Sequence, residues 1–237
     1  MCKLKSGIIL KDSVFVPNYN SHTDMLEELK IKDTRENAER LFVRAEFYPK
    51  EDIFSDVNKW IYHVDQDILP EWYVEEVDKD RFIKAVKEWH KKHVLVSVDG
   101  ITLSDGDTYY IKDCKNVVVK NNSTVYAYDT STIKAFGIST IKAFGISTIY
   151  AFGISTIYAY DTSTIYAYGN STVKAYNNST IKAYETSIIY AYNTSAVVIG
   201  IFSNNRKDNI KLSDNATLKD YKTKTIYQSG DWKFKKV

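Results

Sequence analysis

NSTVYAYD, TSTIKAFG, ISTIKAFG, ISTIYAFG, ISTIYAYD, TSTIYAYG, NSTVKAYN, NSTIKAYE, TSIIYAYN and TSAVVIGI follow one another without a break from Asn122 to Ile201. A fixed short period means that one structural unit is copied along an axis. The second residue of each unit is Ser (Ser123, Ser131, Ser139 and onward to Ser195). The fourth is Ile or Val, and the sixth is Ala in every unit but the last. The third, fifth and seventh are mostly Thr, then Tyr or Lys, then Tyr or Phe. That alternation has a period of two, which is the mark of a strand. Its β-branched and aromatic content agrees.

Lysine decides which face is inside. Lys134, Lys142, Lys174 and Lys182 occupy the fifth position, and a buried row of unpaired ammonium groups is prohibitive. Ser, Ile/Val and Ala therefore point inward, and the Thr, Lys/Tyr and aromatic positions point outward. Most units end in Gly, Asp or Asn (Asp129, Gly137, Gly145, Gly153, Asp161, Gly169, Asn177), residues that suit tight turns. Each octad is thus one short strand and one turn.

Near-identical units favour stacked coils over antiparallel hairpins, because stacking sets like residues above like. The expected fold is mainly β: a parallel β-solenoid rising ~4.8 Å per coil. Two octads per coil give two flat sheets and three give a triangle. The small inward set, one Ile and one Ala per strand, suits the thinner two-octad coil.

The phase extends beyond the perfect units. Counting back by eight from Val125 gives Val117, Tyr109 and Ile101, with Val119, Ile111 and Leu103 at the sixth position. The solenoid is expected to start near Val98, with Asp105-Gly106-Asp107 at a turn. Forward, the phase breaks at 203–208 and resumes as Ile210, Leu218, Ile226 and Phe234. These are expected to form imperfect terminal coils, with Trp232 and Phe234 plugging an otherwise open strand edge.

The first 97 residues have a different composition. All three prolines and all four histidines lie there. Strands are expected around Lys3–Leu10, Val14–Val16, Leu41–Phe47 and Lys59–Asp65. Short helices are expected after Ser21 or Thr23 and from Thr34, and a longer one from Asp78 to His93 with Phe82, Ile83, Val86 and Trp89 on one face. The expected organisation is an α+β domain over 1–97 and the solenoid over 98–237.

Formal charge is +2 over 237 residues, which gives no global electrostatic case for nucleic acid. Cys2 and Cys114 suit neither a disulfide scaffold nor a metal site. No signal peptide or membrane-length apolar run is read, so the expected location is cytoplasmic.

His90 and His93 are three apart on the expected helix, without an evident third ligand, and read as surface or helix-end histidines. His63 reads as a strand residue, and Asp65, Asp67, Glu75 and Glu76 as solvated. No phosphate loop, nucleophile elbow or CxxC pair occurs. The expectation is a non-enzyme with no catalytic residue, no cofactor and no metal. The outward aromatics have two readings: stacking that stabilises the coils, or an interface. The interface candidates are Phe136, Phe144 and Phe152, joined by Tyr150, Tyr158 and Tyr166, with Trp60, Trp72 and Tyr73 in the N-terminal domain.

The runs MCKLKSGIILKDSVFVP, VDQDILPEWY and YYIKDCKNVVV resemble an uncharacterised family of bacteriophage and prophage proteins that join a conserved N-terminal domain to tandem repeats. That resemblance implies a phage or mobile-element origin and a bacterial host cytoplasm, and it brings no catalytic residues. The repeat S-x-[IV]-x-A-x-x-x is also similar to the octapeptides of bacterial ice-nucleation proteins. It lacks their Thr-x-Thr strand, so ice binding is not implied. Three functions are therefore weighed. The first is a binding or scaffold protein whose rigid solenoid carries a protein-recognition head, with itself or a host protein as partner, including as a homo-oligomer. The second is a counter-defence inhibitor of a host immune protein. The third is a nucleic-acid binder using the Lys/Tyr ladders, against which the small net charge weighs.

Overall fold

The computed structural model describes residues 4–200, 207–229 and 235–236. The chain divides into two compact units, Met1–Val94 and Leu95–Val237. The solenoid unit thus begins three residues before the expected Val98.

In the first unit, β1 (Ser6–Leu10), β2 (Val14–Phe15), β3 (Phe42–Tyr48) and β4 (Ile61–Val64) form an antiparallel sheet in the order β2-β1-β3-β4. Helix α1 (His22–Glu28) is capped by the Ser21 hydroxyl, which accepts from the Asp24 amide. Helix α2 (Arg35–Ala38) is capped in the same way by Thr34, and both caps are the ones the sequence supplies. Helix α3 (Glu75–His93) begins before the expected Asp78. The reason is that the Asp78 carboxylate reaches back and accepts from the Val74 amide at 2.9 Å, so it caps from inside the first turn. Phe82, Val86 and Trp89 are buried on the α3 face the sequence marks. Among the described residues, no helix is long and apolar enough to cross a membrane.

The strands that follow are β5 (Val94–Val96), β6 (Thr102–Leu103), β7 (Thr108–Lys112), β8 (Val117–Val119) and β9 (Thr124–Tyr128). One strand per octad comes next: β10 (Thr132–Ala135), β11 (Thr140–Ala143), β12 (Thr148–Ala151), β13 (Thr156–Ala159), β14 (Thr164–Ala167), β15 (Thr172–Ala175), β16 (Thr180–Ala183), β17 (Ile188–Ala191) and β18 (Ala196–Ile199). The C-terminal strands are β19 (Ile210–Leu212), β20 (Thr217–Asp220), β21 (Thr225–Gln228) and β22 (Lys235–Lys236). Successive octads alternate between two sheets. One runs β19-β17-β15-β13-β11-β9-β7-β5, and the other β22-β21-β20-β18-β16-β14-β12-β10-β8-β6.

Pairing is parallel and in register: Thr132 lies beside Thr148, Ile133 beside Ile149 and Ala135 beside Ala151. The coil is therefore two octads, and the parallel β-solenoid makes about seven turns. Between its sheets the fourth- and sixth-position side chains, from Val125 and Ala127 to Ile189 and Ala191, are fully buried. Most of the buried repeat serines donate to a backbone carbonyl at the turns, Ser171 Oγ being an exception among the described residues. Ser131 Oγ donates to the Tyr128 carbonyl at 2.9 Å and Ser139 Oγ to that of Phe136 at 2.7 Å. A small hydroxyl here closes the corner without leaving a buried carbonyl unpaired.

The C-terminal phase is corrected in part. Strands β19 and β20 continue the two sheets in parallel, but β21 pairs antiparallel with β20, setting Leu218 beside Tyr227 and Lys219 beside Ile226. The chain turns back because the Asp220 carboxylate accepts from the amides of Lys222 and Thr223. The eight-residue spacing of Leu218 and Ile226 is that of a hairpin and not of another coil. Trp232 and Phe234 lie outside the described residues.

Corner residues adopt positive φ, including Gly145 (72°), Gly153 (69°), Gly169 (62°), Asp161 (56°) and Asn177 (56°). A Cβ on Gly169 would sit 3.0 Å from the Gly153 carbonyl oxygen. Gly169→Ala is expected to lower stability by about 1 kcal/mol. Gly169→Asn should cost less, since Asn tolerates this region and already holds the position in Asn177. Thermal melts of the two variants check the order.

Candidate functional site

Each outer sheet face carries a column of fifth-position side chains. On one face the order along the stack is Tyr110, Tyr126, Lys142, Tyr158, Lys174, Tyr190, Lys211. On the other it is Val118, Lys134, Tyr150, Tyr166, Lys182, Val198, Lys219. No lysine in these columns adjoins another. Lys134 and Lys142, and Lys174 and Lys182, fall in successive octads, and the two-octad coil sends the members of each pair to opposite faces. The ammonium groups turn along the column onto neighbouring rings. Lys142 Nζ lies 4.6 Å from the Tyr126 ring centre and donates to its hydroxyl at 3.0 Å, while Lys182 Nζ lies 4.7 Å from the Tyr166 ring. The Tyr126 hydroxyl holds the Lys142 ammonium above its ordinary pKa. Cation–π contacts of this kind favour the stacked state.

Seventh-position rings form two further stacks, one along each edge. Tyr128, Phe144, Tyr160, Tyr176 and Tyr192 follow at 5.0, 4.9, 5.1 and 4.9 Å. Phe136, Phe152, Tyr168 and Tyr184 follow at 4.9, 5.0 and 4.7 Å. These spacings match the rise of a coil, so the rings are half-buried against one another. Of the two readings of the outward rings, stacking is the one the geometry favours, because the repeat distance lets each ring cover the next. One expectation is corrected. Phe136, Phe144 and Phe152 are not one patch, because alternate octads face opposite edges. Of the sheet-face candidates, Tyr150 and Tyr166 stack at 4.7 Å, and Tyr158 lies on the other sheet beside Lys174.

What remains exposed at the corners was not singled out by sequence reading. Ile138, Ile146 and Ile154 open their octads and are 59%, 59% and 51% exposed. Ile138 and Ile154 share an edge with Phe136 and Phe152, giving two stacked Phe-Gly-Ile corners. Ile146 lies on the opposite edge, beside corners that carry Asp129 and Asp161. The signal was present in the sequence: the first position is Thr or Asn elsewhere, so three successive Ile stand out.

In the N-terminal unit Trp60 is a core residue, 6% exposed, packed on Phe47 and edge-on to His90. It is withdrawn as a surface candidate, since a lone ring without periodicity does not reveal its side. Trp72 is half-buried and donates to the Arg40 carbonyl at 2.7 Å. Tyr73 is also half-buried, its hydroxyl 2.9 Å from that of Tyr62. The structure does not bring Trp60, Trp72 and Tyr73 together on an exposed face.

His93 is buried with Nδ1 2.8 Å from the Trp89 carbonyl oxygen, and His90 Nε2 lies 2.9 Å from that of Ile53. Both lie in the last turn of α3, as the helix-end reading has it, but neither is a surface residue, and burial holds His90 below its ordinary pKa. His63 is exposed, as are Asp67, Glu75 and Glu76. Lys5 is fully buried, its ammonium directed at the carbonyls of Pro17 and Tyr19, and burial lowers its pKa to about 7. His22, Glu46 and Asp65 converge from three separate segments, with ligand-capable atoms within 4.8 Å of one another. No protein-family model matches the chain, and no match was found among curated proteins or solved structures.

Proposed function

We propose that this is a non-enzymatic binding or scaffold protein of phage or mobile-element origin, in which a rigid solenoid carries an N-terminal recognition head. The observation that carries the reading is how the outward side chains are used. Most rings and the flanking ammonium groups serve the stack itself, and the most exposed large apolar groups of the described octads are the corner isoleucines Ile138, Ile146 and Ile154. A monomer seldom leaves such groups clustered without a partner.

The partner we assign to the Ile138/Ile154 edge is a second copy of the chain. Along this edge Lys120 stands two coils before Phe152, and Glu185 stands two coils after the neighbouring Gly153, both exposed. A copy laid antiparallel, with its twofold axis at Phe152, therefore sets Lys120 against Glu185 at each end and the Phe-Gly-Ile corners near the centre. Such an isologous contact closes as a dimer. The edge is short beside the ~800 Å² per partner of a standard interface, so the dimer is expected to be reversible.

Sedimentation over a concentration series tests this. The expected mass rises from monomer towards dimer, and the double variant Ile138→Thr, Ile154→Thr stays monomeric with unchanged circular dichroism. Ile146→Thr, on the other edge, should dimerise like the parent. A parent that is strictly monomeric, or a double variant that dimerises equally well, overturns the assignment.

A further inference from the structure

His22, the first residue of α1, is 4% exposed and presents both ring nitrogens to acceptors. Its Nδ1 lies 3.2 Å from Asp65 Oδ2, and its Nε2 lies 3.4 Å from the Ala45 carbonyl oxygen. A neutral imidazole carries one N–H. One nitrogen must therefore turn a lone pair towards an oxygen that also only accepts. The mismatch is removed either by a second proton on the ring or by a metal ion at one nitrogen.

The geometry favours the metal, because a second carboxylate, that of the buried Glu46, joins Asp65 beside the ring. The charged side chains around it leave an excess of negative charge: Asp65 and the buried Glu46 stand near the ring, while Arg44 is paired with Asp33. If Nε2–H donates to Ala45, the tautomer is fixed and the Nδ1 lone pair is aimed at the carboxylates. Histidines that ligate metals are commonly oriented in this way by a backbone carbonyl.

The His22–Asp65 spacing agrees, and the three ligand atoms together lie within 4.8 Å of one another. Zinc bonds of ~2.0–2.2 Å to nitrogen and oxygen in tetrahedral geometry set neighbouring ligand atoms ~3.3–3.6 Å apart, close to the observed 3.2 Å between His22 and Asp65. Glu46, 3% exposed, comes from β3, and Asp65, its side chain 47% exposed, follows β4 and opens the site to solvent. Three separate segments thus supply one nitrogen and two carboxylates.

We propose that His22, Glu46 and Asp65 bind one divalent transition-metal ion of the zinc type. The site ties α1 to β3 and to the end of β4, and three protein ligands leave a coordination position for water. This inference is independent of the scaffold reading.

The test is calorimetric titration of the chelator-treated full chain with zinc chloride, with a parallel cobalt(II) titration read by visible absorption. One equivalent is expected to bind, with a cobalt spectrum of low coordination number. His22→Gln and Asp65→Asn are each expected to weaken binding about tenfold or more, while His63→Gln leaves it unchanged. Circular dichroism confirms folding. Asp65→Asn, a change at a solvent-open position, keeps the test decisive if His22→Gln does not fold. Absence of binding by the parent, or undiminished binding by Asp65→Asn, overturns the proposal.

Discussion

Ile149→Asp is expected to abolish cooperative unfolding of the solenoid and to erase much of its β signal in circular dichroism. Ile149 is fully buried and lies between Ile133 and Ile165 in its column. A carboxylate there would face hydrocarbon along the column, with no cation among the described inward-facing residues. Burying an unpaired charge costs several kcal/mol or more, against a total stability of ~5–15 kcal/mol for a typical domain. In a stack where each coil rests only on its neighbours, a broken coil separates the two halves. Ile149→Val should cost only ~1 kcal/mol, since Val173 already fills that position elsewhere. A variant Ile149→Asp that melts near the parent would mean that this face is not the core.

Tyr158→Lys is expected to lower stability by ~2 kcal/mol at low ionic strength, with most of the loss recovered in molar salt. Tyr158 lies between Lys142 and Lys174 in its column, and the Lys174 ammonium sits 5.4 Å from its ring. The substitution removes that contact and lines up three ammonium groups at coil spacing. The reverse change, Lys142→Tyr, should be tolerated, because Tyr150 already stacks on Tyr166 in the other column. Denaturant melts at two salt concentrations compare the variants. Equal effects of the two, or an effect of Tyr158→Lys that salt does not change, would contradict the column account.

Much of the solenoid was legible because its period makes every residue testify several times. The inward Ile and Ala, the outward Lys and the turn at each eighth residue are fixed by repetition. The coil size was also legible, in the small inward set of one Ile and one Ala per strand, which suits a thin core between two sheets. What escaped depends on distances that a pattern does not carry. The aromatic positions kept two readings, stacking or interface, because the match between coil rise and ring spacing appears only in three dimensions. Leu218 and Ile226 mimic the repeat while belonging to a hairpin, because Asp220 turns the chain between them.

The N-terminal unit shows the opposite case. Its helices and strands followed from caps and alternation, yet the burial of Trp60, offered as an interface candidate, and of His93, read as a surface or helix-end residue, did not. Each occurs once, so no periodicity reveals its side. His22, Glu46 and Asp65 are far apart in sequence and meet only through the antiparallel register of β3 and β4. Such convergence is invisible to motif reading.

The central claim is that residues sixteen apart are neighbours and residues eight apart lie on opposite sheets. Cysteine pairs at Thr148 with Thr164, with Thr156 and with Thr172, in a chain whose Cys2 and Cys114 are replaced by Ser, test it directly. A disulfide needs Cα atoms roughly 4.4–6.8 Å apart, which adjacent in-register strands satisfy. Mild oxidation is predicted to close the 148/164 pair rapidly and to leave 148/156 and 148/172 reduced. Preferential closure of 148/172 would mean a coil of three octads, and preferential closure of 148/156 would mean adjacent octads paired as neighbours. Either result would contradict the two-sheet solenoid.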